Sequence, residues 1–308
     1  MNGPGDTSRS PIDPETLQAL STLTVNVKKV VEGLQGGSHA SMHFGASVEF
    51  AEHKRYHPGD DIRHLDWSAL ARTDRYFVKQ HQREVILNCL LVLDCSASMA
   101  YQGKRALNDK LGYAVQLLAA MAHILVRQGD AAGLLTFASK PEHYIPPGRR
   151  PDQLSAMMQL FATAKAVDHK GTGFSEAIAR VAEHVDRRSM IVLATDLWGA
   201  GREAEIAFTR LAARGHDVIV FYVLDPDESD LPFDYPCVFR GTEGEPEIEV
   251  DPALIREDFR REARAVEQHW QRIFGKAGID FITSSTSVAP AQILASLAGR
   301  RHGKRGRV

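Results

Sequence analysis

From residue 83 onward, short apolar runs alternate with stretches of helical period. Val85 to Leu93 is almost continuously apolar, the pattern of a strand covered on both faces of a sheet. Lys104 to Gln128 carries Leu107, Leu111, Val115, Leu118, Met121 and Leu125 on one stripe, and Gly129-Asp130 closes it; this predicts a helix. Further strands are expected at Ala132–Ala138, Glu142–Ile145, Met190–Ala194, Val218–Leu224 and Ile279–Thr283, with helices at 151–164, 173–186, 202–214 and 290–299. Asp251-Pro252 opens a longer helix with Ile255, Phe259, Val266, Trp270, Ile273 and Phe274 on its apolar side. Strands alternating with helices imply an α/β fold, a doubly wound and mostly parallel sheet with helices on both faces.

The flanks read differently. Residues 1–12 are Gly, Pro, Ser and Asp with little to bury, as in a disordered N-terminus. Residues 13–82 form a helical and irregular extension. Asp13-Pro14 starts a helix phased by Leu17, Leu20, Leu23, Val27, Val30 and Val31, and a polar, aromatic stretch follows from Gly36 to Gln82. The main domain is then 83–299, with an acidic, Pro/Gly-punctuated insertion at 225–250 containing a β-hairpin, and a basic tail at 300–308.

Composition narrows the function classes. The 308 residues are 44% hydrophobic and 25% charged, with a net charge of -2, which argues against nucleic acid as the partner. No run approaches the ~18 apolar residues of a membrane span, so no membrane partner is expected. Cys89, Cys95 and Cys237 show no CxxC spacing, and together with the lack of a signal pattern they suggest the reducing cytoplasm.

Chemistry concentrates where the first apolar run stops. In LLVLDCSASM, Asp94 is followed by Ser96 and Ser98 at alternate positions. In an open parallel sheet, ligands bind outside the carboxyl ends of the strands. One carboxylate and two hydroxyls there form the oxygen set of a hard divalent cation. The strand in MIVLATDLWG ends in Thr195-Asp196, and the loop Gly171-Thr172-Gly173 precedes a helix. Asp94, Ser96, Ser98, Thr172 and Asp196 are therefore expected to converge from three loops.

These residues resemble the metal-ion-dependent adhesion site (MIDAS) of von Willebrand factor A domains. The segment from Phe44 to Trp67, FGASVEFAEHKRYHPGDDIRHLDW, continuing through ALARTDRYFVKQ into DCSASM, resembles one prokaryotic branch, the domain-of-unknown-function fifty-eight family; GIDFITSSTSVAPAQILASLAGRR near the end is similar too. The resemblance implies a von Willebrand factor A, Rossmann-like fold. Ser96, Ser98 and Thr172 would be direct or near-direct ligands of Mg²⁺ (or Mn²⁺ or Ca²⁺), while Asp94 and Asp196 would act mainly through waters. Ser175 lies near enough to substitute for Thr172. The resemblance further implies a binding module, not an enzyme, in which a partner's Asp or Glu completes the metal site, and association with a MoxR-like AAA+ ATPase. The chain itself has no GxxxxGK[ST] motif, so ATP hydrolysis would belong to the partner. The amide end of the helix from Lys104 would favour the same anion. The competing class is a Mg²⁺-dependent hydrolase at the same strand ends.

Other candidates have simpler explanations. Asp60 and Asp61 follow the Pro58-Gly59 turn and have Arg55, Arg63 and Arg72 at hand. His53, His57 and His64 cannot share one helix face across that turn. Ser96 lacks the GxSxG setting of a hydrolase nucleophile, and it stands where a strand-end phosphotransferase needs a second acid. Tyr222, Phe233, Tyr235 and Phe239 read as core and hairpin packing. The basic tail reads as a solvated end.

Overall fold

The computed structural model describes residues 53–55, 76–79, 87–167, 174–185, 188–239 and 247–305, with backbone alone at 53–55, 77–79 and 301–305. The expectations for residues 1–12, the helix from Asp13, the segment Tyr56–Trp67 and the Thr172 loop lie outside these residues. The chain divides into two units, and His43–Leu87 is one of them. In it, β1 (His53–Arg55) pairs antiparallel with β2 (Phe77–Lys79).

The larger unit is built on six strands: β3 (Asn88–Asp94), β4 (Ala131–Phe137), β5 (Pro141–Gly148), β6 (Met190–Thr195), β7 (Asp217–Leu224) and β10 (Asp280–Ser285). Their order is β10-β7-β6-β3-β4-β5. All neighbours are parallel except β5, which returns antiparallel to β4. This is the doubly wound α/β sheet the apolar pattern implies. The chain starts at the centre, winds outward through β4 and β5, then crosses to the other side of β3 with β6. The switch point therefore lies between the ends of β3 and β6, where such sheets place their ligands.

The central strands are buried along their length apart from half-buried Asn88 at the start of β3, as continuous apolar runs require. Alternate residues face opposite helix layers. One layer contains α1 (Lys110–Arg127), α2 (Gln153–Thr163) and α7 (Pro290–Arg305). The other contains α3 (Phe174–His184), α4 (Arg202–Ala213) and α6 (Pro252–Ala277). Under the second layer Leu90, Val92, Ile191 and Leu193 meet Phe208, Trp270 and Phe274. The Phe208 and Phe274 rings pack edge to face at 5.1 Å. The expected hairpin is present as β8 (Cys237–Phe239) against β9 (Ile248–Val250).

Three expectations need correction. The helix anticipated from Lys104 begins at Lys110, capped by Asp109, whose side chain accepts from Gly112 N at 2.7 Å. Leu107, assigned to its buried stripe, is 61% exposed. Residues 101–109 follow other partners: Gly103 N donates to Asp225 Oδ2 at 2.8 Å, and Leu107 N to Thr286 O at 2.9 Å. On α6 only Pro252, Trp270 and Phe274 are fully buried, while Ile255 and Val266 are exposed. The last helix runs past 299, to Arg305. A short helix absent from the sequence reading, α5 (Pro226–Asp230), stands at the head of the insertion. Asp225 and Glu228 form its capping box.

Cys89, Cys95 and Cys237 are thiols. Tyr222 stacks on Phe281 and Phe233 packs against Phe239, whereas Tyr235 is exposed. Among the described residues no helix is long and apolar enough to cross a membrane.

Candidate metal centre

The chain turns sharply where β3 ends. Ser96 N donates back to Asp94 Oδ1 at 2.9 Å, and Met99 N to Ser96 O at 3.0 Å, opening the short 3-10 turn Ala97–Ala100. Asp94, Ser96 and Ser98 are all buried. The two serine hydroxyl oxygens lie 3.1 Å apart. Oxygens on adjacent corners of an octahedron with ~2.1 Å bonds lie about 3.0 Å apart, so this spacing suits two neighbouring ligands of a small divalent cation.

The end of β6 completes the group from across the switch point. Thr195 Oγ1 donates to Asp94 Oδ2 at 2.6 Å and accepts from Leu197 N at 2.9 Å. Trp198 N donates to Asp196 Oδ1 at 3.0 Å. Leu197 adopts φ 54°, in the left-handed region, a conformation costing a side-chain-bearing residue roughly 1–2 kcal/mol. It buries the Leu197 side chain and leaves Trp198 57% exposed beside the carboxylate. Strain of this kind persists where its surroundings over-determine it.

Asp94 is fully buried. Burial first, and the nearby Asp196 carboxylate second, push its pKa from 3.8 up to about 7, against the hydrogen bonds from Thr195 and Ser96. A carboxylate held near another in a dry setting is a strong acceptor for a cation.

Part of that demand is met by Lys110, the first residue of α1. Its Nζ lies 2.8 Å from Asp196 Oδ2 and 2.6 Å from Glu228 Oε1, and its side chain is 2% exposed. Burial opposes the ammonium charge, but the two carboxylates outweigh it and hold the Lys110 pKa above its ordinary value. Burial raises the Glu228 pKa, while Lys110 opposes the rise.

A second set of contacts fixes the chain between the serines and α1. Asp225, buried at the end of β7, accepts from Gly103 N, Asp227 N and Thr286 Oγ1. Asp227 accepts from Lys104 N and Arg105 Nε. A Cβ at Gly103 would run into both carboxylates. This clamp sets the position from which Lys110 enters the site.

Of the five residues anticipated, Asp94, Ser96, Ser98 and Asp196 thus stand around the same switch point. Thr172 lies outside the described residues. Of the described residues on either side, Val167 N donates to Cys95 O at 2.9 Å, and Phe174 packs on Phe137 at the end of β4. Ser175, the alternative to Thr172, is half-buried in the first turn of α3 and lines a groove toward α4. The α1 amide end is less open to an anion than expected, because Asp109 already takes Gly112 N and Tyr101 O takes Lys110 N. Sequence reasoning missed Lys110 and Glu228 and gave Thr195 no role. The SxS spacing marks a turn, but nothing local to Lys110 shows that its ammonium reaches a strand end 86 residues away.

The donor set fits a hard divalent cation. Among the described residues no group of three or more His, Cys, Asp or Glu side chains could hold a metal, so a cation here would need hydroxyl oxygens as well as carboxylates. With Asp94 ionised, Asp94, Asp196, Glu228 and Lys110 together carry two negative charges, which one divalent cation neutralises.

Comparison with known proteins places the chain. Residues 52–269 match a family described as Protein of unknown function DUF58. Uncharacterized proteins of Mycobacterium tuberculosis and Mycobacterium bovis are 30% identical over 295 residues, covering 94% of this chain and 92% of theirs. Among solved structures, a conserved hypothetical protein BatB from Bacteroides thetaiotaomicron is similar at 18% identity and a TM-score of 0.49, over 71% of this chain and 99% of that one. An aerotolerance-related membrane protein from Bacteroides fragilis is similar at 20% identity and a TM-score of 0.47, over 70% and 99%.

Proposed function

The chain belongs to the DUF58 family, and on that premise we propose that it is a metal-dependent protein-interaction module. Ser96 and Ser98, with Thr172, would hold Mg²⁺ or Mn²⁺ directly, and Asp94 and Asp196 would hold it through water. The bound ion would supply a positive charge that a partner's Asp or Glu answers. The observation that carries this reading is the pair of buried hydroxyls 3.1 Å apart in the turn that follows the buried strand-end carboxylate of Asp94.

The chain's own residues do three things in this scheme. Thr195 ties the end of β6 to Asp94 and keeps the two loops in register. The turn at Ala97–Ala100 presents both serines to the same point. Leu197 turns Trp198 outward, placing an aromatic surface beside the site against which a partner can pack. An adaptor or substrate-recruiting role for a MoxR-like AAA+ ATPase follows from the family resemblance, and the lack of a P-loop in this chain is consistent with it.

Hydrolysis at the same place is less favoured. Both oxygens of Asp94 already accept hydrogen bonds, and Asp196 is shared between Lys110 and Trp198. Neither carboxylate is left uncommitted as a general base.

The test is calorimetric titration of Mg²⁺ and Mn²⁺ into the full chain, with Ser96→Ala/Ser98→Ala as control, followed by co-purification from native lysate with and without chelator. The reading requires one divalent ion per chain, its loss in the double variant, and a partner released by chelator. A folded protein that takes up no ion, or a partner indifferent to chelator, overturns it.

A further inference from the structure

Lys110 enters neither the expected ligand set nor the role just described, yet it is among the most completely buried charges of the described residues. A buried ion pair is a poor source of stability, because removing two charges from water offsets their attraction. The Lys110 side chain and that of Asp196 are only 2% and 4% exposed. Asp196 Oδ2 accepts from Lys110 while Oδ1 accepts from Trp198 N. The carboxylate expected to face a metal is therefore already neutralised by a cation from within the chain.

Building on the metal-binding reading, we infer that Lys110 is a built-in counter-cation that competes with the divalent ion for Asp196, keeping the ion weakly held and its charge available to the partner's carboxylate. Two features support this role over simple bracing of α1. Lys110 is clasped on its other side by Glu228 of α5, so it has a second carboxylate to rest on when Asp196 turns to an incoming ion. Its positive charge also takes the site from three negative charges to two, the number one divalent cation balances. Without Lys110 the site would be overcharged for such an ion and would hold it more tightly. The ion would then be more fully neutralised and would attract an outside anion less.

The experiment titrates Mn²⁺ into the whole 308-residue chain, into Lys110→Met, and into the pair Glu228→Gln and Lys110→Met/Glu228→Gln, at one pH and ionic strength. Circular dichroism confirms that each is folded. The inference predicts that loss of Lys110 tightens Mn²⁺ binding at least about tenfold, the scale of one charge acting across a few ångströms at protein-like dielectric. Comparing the double variant with Glu228→Gln isolates Lys110 even if Lys110→Met alone, with Glu228 stranded, does not fold. Mn²⁺ affinity within twofold of the parent, or weaker, in folded variants overturns the inference while leaving the metal reading intact. Binding by Lys110→Met but not by the wild type overturns the metal reading of the native chain, and with it the inference that Lys110 leaves an ion weakly held there. Binding by none of the four proteins overturns both.

Discussion

Asp94→Asn is the most informative single change at the site, because it removes a charge while nearly preserving shape. Burial and Asp196 raise the Asp94 pKa from 3.8 to about 7. The folded chain thus keeps this proton to a higher pH than the unfolded chain does. Its contribution to stability is present at low pH and is lost as pH rises toward 7. At about 1.4 kcal/mol per tenfold change in proton affinity, a rise from 3.8 to about 7 corresponds to about 4 kcal/mol as a ceiling. Between pH 5 and 8 the share of that loss is about 2–3 kcal/mol. Asparagine does not titrate. Its carbonyl can accept from Ser96 N, but its amide cannot accept from Thr195, whose hydroxyl would have to rotate. Asp94→Asn should therefore be slightly less stable than the parent at pH 5 and more stable at pH 8.

Urea denaturation in chelator, at several pH values, measures this directly. The quantity to follow is the difference between parent and variant, since other titrating groups cancel in it. Saturating Mg²⁺ should remove the parent's excess slope, because a cation draws the proton off Asp94. A difference that stays constant from pH 5 to 8 would show that Asp94 is not held in the dry, doubly acidic setting described, and the electrostatic account of the site would fail.

The remaining predictions probe the supports. Gly103→Ala should destabilise the chain by about 1–3 kcal/mol, because its Cβ meets the carboxylates of Asp225 and Asp227 and costs a buried hydrogen bond; the midpoint of urea unfolding reports it. Phe274→Ala should cost about 3–5 kcal/mol by opening a cavity beside Phe208 and Trp270, without altering ion binding measured under conditions where the variant is folded. Trp198→Phe should change stability by less than about 0.5 kcal/mol, since the ring is mostly exposed. The same change should abolish most of any fluorescence response to Mn²⁺, because Trp198 is bonded through its amide to Asp196.

What the sequence made legible follows from range. The central strands are almost continuously apolar between their ends, and a pattern of that kind reports burial on both faces whatever the neighbours are. Turn chemistry such as Asp251-Pro252 is likewise local, and the helix start it marks is found at Pro252. Asp94, Ser96, Ser98 and Asp196 were visible because they sit at the ends of such strands, where the topology of a doubly wound sheet dictates what meets. The false start at Lys104 shows the limit. Leu107 has the right phase for α1, but Gly103, Lys104 and Leu107 donate their amides to residues 225, 227 and 286. Those acceptors outweigh the periodicity and postpone the helix until Asp109 can cap it. Lys110 was hidden for the same reason. A lysine at the start of an amphipathic helix reads as solvated, and its burial depends on two acids that reach it from the end of β6 and from α5. The place of Lys110 is thus one that only the assembled fold can reveal, because it follows from the clamp around Asp225 and not from anything adjacent to it in the chain.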